Sequence, residues 1–90
     1  MEIEHDTERR RYTLKVDGQI ASALDYADNG TVVSMTHTFT NPPFRRRGLA
    51  AQLVEHAVDD VAAQGKRVVP MCWYVAEWFE AHPERADVLA

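Results

Sequence analysis

Arg45-Arg46-Arg47-Gly48-Leu49-Ala50 is the stretch whose residue types and order could do chemistry. Three guanidinium groups stand directly before a glycine and an apolar-periodic segment. From Leu49 the apolar residues fall into two rows with a spacing of four, Leu49/Leu53/Ala57/Val61 and Ala50/Val54/Val58/Ala62. That spacing predicts a helix running to about Gln64. Gln52, Glu55, His56, Asp59 and Asp60 take its other face, and Gly65 stands where a left-handed cap is expected. The first N–H groups of such a helix lack intrahelical partners and point back at the arginine turn. Free donors, the positive dipole end and the guanidinium groups together make an anion site. Gly48 lets a ligand approach the backbone closely. The implied chemistry is the binding of a phosphate or pyrophosphate. The same residues also fit a plainer reading, an exposed basic turn that complements the helix's carboxylates. Neither G-x-x-x-x-G-K-S/T nor G-x-G-x-x-G occurs, so a P-loop and a Rossmann fingerprint are excluded.

The elements that must position this turn follow from periodicity. Met1–Glu8 is polar, and Ile3 could begin a short strand. Arg10–Val16 alternates, with Tyr12, Leu14 and Val16 on one face. Asp17-Gly18 is a two-residue hairpin signal. Gln19–Ala27 returns, with Ile20, Leu24 and Tyr26 on one face and small Ala21, Ala23 and Ala27 on the other. Asp28-Asn29-Gly30 is a second turn. In Thr31–Thr40, strict alternation groups Val33, Met35, His37 and Phe39 on one face. Asn41-Pro42-Pro43 ends that strand, since proline cannot donate to a ladder. Arg67–Met71 reads as a short buried strand beyond the helix, and a crossover of that kind makes the two strands parallel. Pro70 breaks the ladder on one side. Trp73–His82 is a second helix, with Val75, Trp78, Phe79 and His82 at i, i+3, i+4 and i+7, ended by Pro83. The predicted order is β-β-β-α-β-α: an α/β (α+β) mixed sheet, an antiparallel meander with a parallel strand added through a right-handed crossover helix.

Ninety residues with 46% hydrophobic content fit one globular domain spanning 1–90. The net charge of −4 argues against a nucleic-acid partner, as does the lack of aromatics interleaved with arginine. The single cysteine, Cys72, excludes an internal disulfide. No Cys/His pair has zinc-ligand spacing, so no metal is expected. No signal-like or membrane-spanning run is evident, and a reducing cytoplasm is the expected compartment. A monomer or weak dimer is expected.

Strand, then Arg45-x-x-Gly48-x-Ala50, then helix resembles the acetyl-CoA signature Q/R-x-x-G-x-G/A of the GNAT superfamily of N-acetyltransferases. His37-Thr38 just upstream, Pro70-x-Cys72 after the fourth strand and His82-Pro83-Glu84 at the end of the second helix resemble its short, single-domain branch. The similarity runs from Arg10 to Leu89. The resemblance implies a GNAT-like fold in which the strands Thr31–Thr40 and Arg67–Met71 splay apart. Acetyl-CoA would then bind with its pantetheine arm along His37, Thr38 and Phe39, and its pyrophosphate on Arg45, Arg46, Arg47, Gly48, Leu49 and Ala50. The implied activity is transfer of an acetyl group to an amine, with acetyl-CoA and coenzyme A as cofactor.

That chemistry needs a neutral amine, a polarised carbonyl and a proton for the leaving thiolate. The resemblance makes Cys72, Tyr74 and His37 the catalytic candidates. Tyr74 is the nearest match to a tyrosine that protonates the thiolate in larger relatives. Cys72 could be nucleophile, acid or a small buried hydrophobe. His37 could be the base that deprotonates the amine, or a satisfied core histidine. Trp73, Trp78 and Phe79 read as packing, and His5, His56 and Arg9–Arg11 as solvated surface. Larger members carry two helices after their first strand. Here Val16 reaches Gln19 through a two-residue turn, so the acceptor side should be open. A protein or peptide lysine, an N-terminus or a polyamine would suit an open site. The alternative function is a non-catalytic CoA- or acyl-CoA-binding module.

Overall fold

Alternation of apolar and polar residues builds an antiparallel meander. In the computed structural model, which describes Met1–Ala90, this meander has four strands. They are β1 (Glu2–Asp6), β2 (Arg11–Val16), β3 (Gln19–Asp28) and β4 (Val32–Thr40). Asp17 and Gly18 join β2 to β3 with φ of 51° and 79°, the double positive φ of a tight hairpin turn. A 3₁₀ turn at Pro42–Phe44 leads to the helix α1 (Leu49–Ala63). A short strand β5 (Arg67–Pro70) then pairs parallel to β4, giving the sheet order β1-β2-β3-β4-β5. The helix α2 (Trp73–Ala81) and a 3₁₀ segment at Pro83–Val88 complete the chain. The leading edge strand β1 is the element that the order β-β-β-α-β-α lacks. Only its Ile3 packs on the core, so it carries almost no hydrophobic signal and is held by backbone pairing and side-chain contacts.

One core of 18 buried residues joins the sheet to both helices. Tyr12, Leu14 and Leu24 come from the sheet, Leu53, Val54, Val58 and Val61 from α1, and Val75, Trp78 and Phe79 from α2. Each such side chain contributes about 1.5–3 kcal/mol by leaving water. Tyr12 is the polar exception. Its hydroxyl donates to Asp60 on α1 at 2.5 Å, and burial first, then that bond, pushes its pKa far up. No helix is long and apolar enough to cross a membrane.

Two one-residue bulges decide which side chains face this core. Leu14 pairs with Ser22 but Lys15 with Ile20, so Ala21 is an extra residue in β3. Asp25 pairs with His37 but Tyr26 with Met35, so Thr36 is an extra residue in β4. Each extra residue reverses the facing of everything beyond it. Ile20 therefore leaves the face of Leu24 and is exposed. His37 and Phe39 leave the face of the buried Val33 and Met35 and are exposed too. The shared face expected for Val33, Met35, His37 and Phe39 does not exist, and His37 is not a core histidine.

Candidate active site

The bulge at Thr36 assigns β4's side chains to opposite sides of the sheet. Thr38 pairs with Leu24, and Leu24 with Tyr12, whose hydroxyl reaches Asp60 of α1. Cross-strand partners share a face, so Thr38 lies on the helix-covered side. His37 pairs with Asp25, and Asp25 with Arg11. That row lies on the open side, where Arg11 Nε donates to Asp25 at 2.6 Å. Phe39 shares that side and is 44% exposed.

The β4–β5 ladder is short. It joins Val32 to Arg67, Val33 to Val68, Ser34 to Val69 and Met35 to Pro70, and stops there. Pro70 has no N–H to extend it, and the last tie is the Cys72 N–H donating to the Met35 carbonyl at 2.9 Å. Beyond Met35 the two strands part, and His37–Thr40 keep β3 as their only partner strand. The gap follows the placement of Pro70 and the immediate start of α2 at Trp73.

Cys72 caps the start of α2 beside this gap. It is 7% exposed, and its Sγ lies 3.5 Å from Thr38 Oγ1. Burial pushes the thiol's pKa up. The Thr38 hydroxyl and the backbone N–H groups of Val75, Tyr74 and Thr38 outweigh it, so the net shift is downward from the ordinary thiol value. Tyr74 goes the other way, since burial and then the charge of Glu77 raise its pKa. It stays a neutral phenol at neutral pH and can donate a proton.

The arginine turn closes the far end of the gap. Arg46 and Gly48 both adopt left-handed backbone, with φ of 65° and 73°. Gly48 is the N-cap of α1, and its carbonyl accepts the first helical bond, from Gln52 N–H at 3.2 Å. The N–H groups of Leu49, Ala50 and Ala51 precede that bond and have no partner within the helix. No carboxylate stands in the first turn of α1. None of the three arginines pairs with a carboxylate. Arg45 Nε donates to the Thr40 carbonyl at 3.3 Å, and Arg47 lies over the Phe44 ring at 5.4 Å. A basic turn serving only its own helix would carry such pairs. A cavity of about 280 Å³ runs from Thr40, Arg45 and Arg46 past the Gly48–Ala50 backbone to Tyr74. It brings Tyr74 together with Arg45, Arg46 and the Gly48–Ala50 backbone, while Cys72 and Thr38 do not line it.

A larger cavity, about 600 Å³, sits at the other end of the sheet, by the β3–β4 hairpin. Its ionisable groups largely satisfy one another. His5 Nε2 shares a 2.6 Å hydrogen bond with the Tyr26 hydroxyl, Asp60 takes Tyr12 and Gln64, and Lys66 donates to Asp28 at 2.7 Å. Size does not select the site: Arg10 is the unpaired cation of the larger cavity, whereas the smaller groove joins Arg45 and Arg46 to the free N–H groups at the start of α1. His5 and Arg11 are not merely solvated. His5 stacks on Tyr12 at 4.0 Å between ring centroids, and Arg11 is paired. Trp78 and Phe79 pack in the core as expected, whereas Trp73 is 71% exposed beside Cys72. Apart from this exposure of Trp73, which a helix pattern does not reveal, the site residue that sequence reasoning underrated is Thr38. Its place on the strand suggests only backbone for a ligand, whereas its Oγ1 lies 3.5 Å from the thiol.

A family model described as GCN5-related N-acetyl-transferase matches residues 11–88. The protein NATD1 of Bos taurus is 31% identical over 83 residues, covering 90% of this chain and 74% of that one. A GCN5-like protein from Staphylococcus aureus has a solved structure with a TM-score of 0.77 at 13% identity, covering 99% of this chain and 87% of that one. N-acetylglutamate synthase from Neisseria gonorrhoeae, complexed with coenzyme A and N-acetyl-glutamate, has a TM-score of 0.62 at 15% identity. It covers 87% of this chain and 22% of that one. These likenesses to solved structures are likenesses of fold.

Proposed function

The chain belongs to the GCN5-related N-acetyl-transferase family, and from that premise we propose that it binds acetyl-CoA and transfers the acetyl group to an amine. The observation that carries this reading is the parting of β4 from β5 beyond Met35 and Pro70, with Cys72 at its start and the uncompensated cations before α1 following the end of β4. Acetyl-CoA, when bound, supplies an acetyl thioester. The Leu49–Ala51 N–H groups and Arg45, Arg46 and Arg47 fit its pyrophosphate. The backbone of His37, Thr38 and Phe39, free of a second strand, fits the pantetheine arm. His37 stands exposed on the open side, where it can take the proton of an arriving amine. Tyr74 and Cys72 lie on the other side, where a proton must return to the departing sulfur. Cys72 has a second role open to it. As a nucleophile it would form its own thioester as the carbon–sulfur bond to CoA breaks, and then pass the acetyl group to the amine.

The acceptor we propose is cationic: a protein or peptide lysine, an N-terminus or a polyamine. The two-residue hairpin at Asp17-Gly18 puts no helices over the open side of the sheet. Asp59 is paired with Arg85, whereas Asp60 accepts from the neutral Tyr12 hydroxyl and Gln64 amide and keeps its charge. Among the exposed carboxylates with no cation beside them are Glu77, Glu80 and Glu84 on α2 and its 3₁₀ extension, and Glu55 on α1.

Acetyl-CoA consumption across a panel of amines tests the activity, and Cys72→Ala tests the mechanism. Turnover is expected with at least one cationic amine. Cys72→Ala should lower turnover and leave CoA affinity intact. Intact-protein mass spectrometry then separates the roles, because an acetyl adduct that Cys72→Ala abolishes identifies a nucleophile. Tight CoA binding with no consumption by any amine would instead identify a non-catalytic CoA-binding module.

A further inference from the structure

We propose that Thr38 is the positioning residue of Cys72, its hydroxyl donating a hydrogen bond to Sγ and fixing the sulfur at the edge of the β4–β5 gap. The contact is direct, with Oγ1 and Sγ 3.5 Å apart, across 34 residues of sequence. It exists because of the bulge at Thr36. A regular strand would turn Thr38 to the open face and set His37 on the helix side. The extra residue brings a small hydroxyl, in place of an imidazole, to the one thiol of the protein.

The direction of the bond follows from chemistry. A thiolate carries no hydrogen, so in that form Sγ accepts and the Thr38 hydroxyl donates. The neutral thiol gains less from the same contact, so the bond favours ionisation. The charged and titratable groups on the surrounding elements are His37 on β4, Arg45–Arg47 at the turn, and Tyr74 and Glu77 on α2. The leading causes at Cys72 are burial and hydrogen bonds, not the charges of these groups. The first turn of α2 adds its own N–H groups, Tyr74 and Val75, but these are fixed by the helix. Thr38 is the side chain that a substitution can remove.

The full chain has no other cysteine, so thiol chemistry reports Cys72 alone. Alkylation by iodoacetamide is followed by mass spectrometry from pH 5 to about 10, spanning the ordinary thiol range, on the wild type, Thr38→Val, Thr38→Ala and Thr38→Ser. Burial slows alkylation at every pH, so the pH of the inflection is what is read. Loss of a hydrogen bond to a charged group should move the inflection upward and slow reaction at neutral pH by about tenfold in Thr38→Val and Thr38→Ala. Thr38→Ser should keep the wild-type profile. A folded Thr38→Val or Thr38→Ala whose inflection matches the wild type overturns the proposal. So does a Thr38→Ser profile that follows Thr38→Val, which would mean that the methyl group matters and the hydroxyl does not. No acetyl-CoA is present in this measurement, so it stands or falls apart from the acetyl-transfer reading.

Discussion

Gly48 combines two demands on one residue. Its φ of 73° lies where side chains are strained, yet an added Cβ would meet nothing within 4 Å. Gly48→Ala should therefore cost about 1–2 kcal/mol through backbone strain alone, without a clash. Thermal denaturation should show this as a loss of roughly 4–8 °C per kcal/mol for a domain of this size. The larger effect is expected on CoA, because the open space at Gly48 is where phosphates would meet the backbone. Gly48→Val should weaken CoA more than its stability loss explains. Arg45→Ala or Arg47→Ala should weaken it by about ten- to a hundredfold, the worth of one charged hydrogen bond. Calorimetry with CoA and dephospho-CoA measures both effects. Unchanged affinity in a folded Gly48→Val would remove the anion cradle from the argument.

At the scale of elements, β1 and β5 are held by different means. β1 buries little, so its attachment rests on the ladder to β2 and on His5, which stacks on Tyr12 and meets the Tyr26 hydroxyl. His5→Ala should let β1 open locally while the core stays closed. Amide exchange should speed up by roughly fivefold across Glu2–Asp6, for a lost interaction of about 1 kcal/mol, and stay unchanged in β3 and β4. β5 is tied at its entry by Lys66, which donates to Asp28 at the end of β3. The Lys66 hydrogen bond, then that of the Gly30 N–H, lowers the pKa of Asp28. A lowered carboxylate pKa contributes stability above the unfolded value, near 4, and loses it as the pH falls through the folded value. Lys66→Met should therefore be less stable than the wild type at pH 7, with the gap closing below about pH 4. Urea titrations at the two pH values check the sign. A gap that widened in acid would contradict the pairing.

At the scale of the whole molecule, charge is divided between two regions. The arginine turn is basic and unpaired, whereas Glu77, Glu80 and Glu84 leave α2 and its extension acidic. An anionic cofactor and a cationic acceptor would each meet a region of opposite sign. Acetylation of lysine-rich peptides or polyamines should outpace that of neutral amino acids, and should slow as salt rises past the point where screening reaches about 8 Å. Rates at two ionic strengths across the same panel decide it. A salt-independent preference for a neutral amine would count against a cationic acceptor.

The helix at Leu49 and the hairpin at Asp17-Gly18 were legible in the sequence because local periodicity and turn chemistry fix them. The arginine turn and the end of the parallel ladder at Pro70 were legible for a similar reason, since a missing N–H is a property of the residue itself. The edge strand β1 is marked in the sequence only by Ile3 and does not enter the predicted element order, because pairing rather than burial holds it. Facing was not legible. Alternation counts residues, and a bulge adds one to one strand without leaving a mark in composition. Ala21 and Thr36 are the residues added here, and only the pairing of β2 with β3 and of β3 with β4 decides that they bulge. That a thiol, a histidine and a threonine would gather near the end of β4 was implied by the resemblance to the GNAT superfamily, carried by His37-Thr38 and Pro70-x-Cys72. Only the tertiary structure decided that Thr38 meets Cys72 and His37 faces the open side, because the register of neighbouring strands sets that choice.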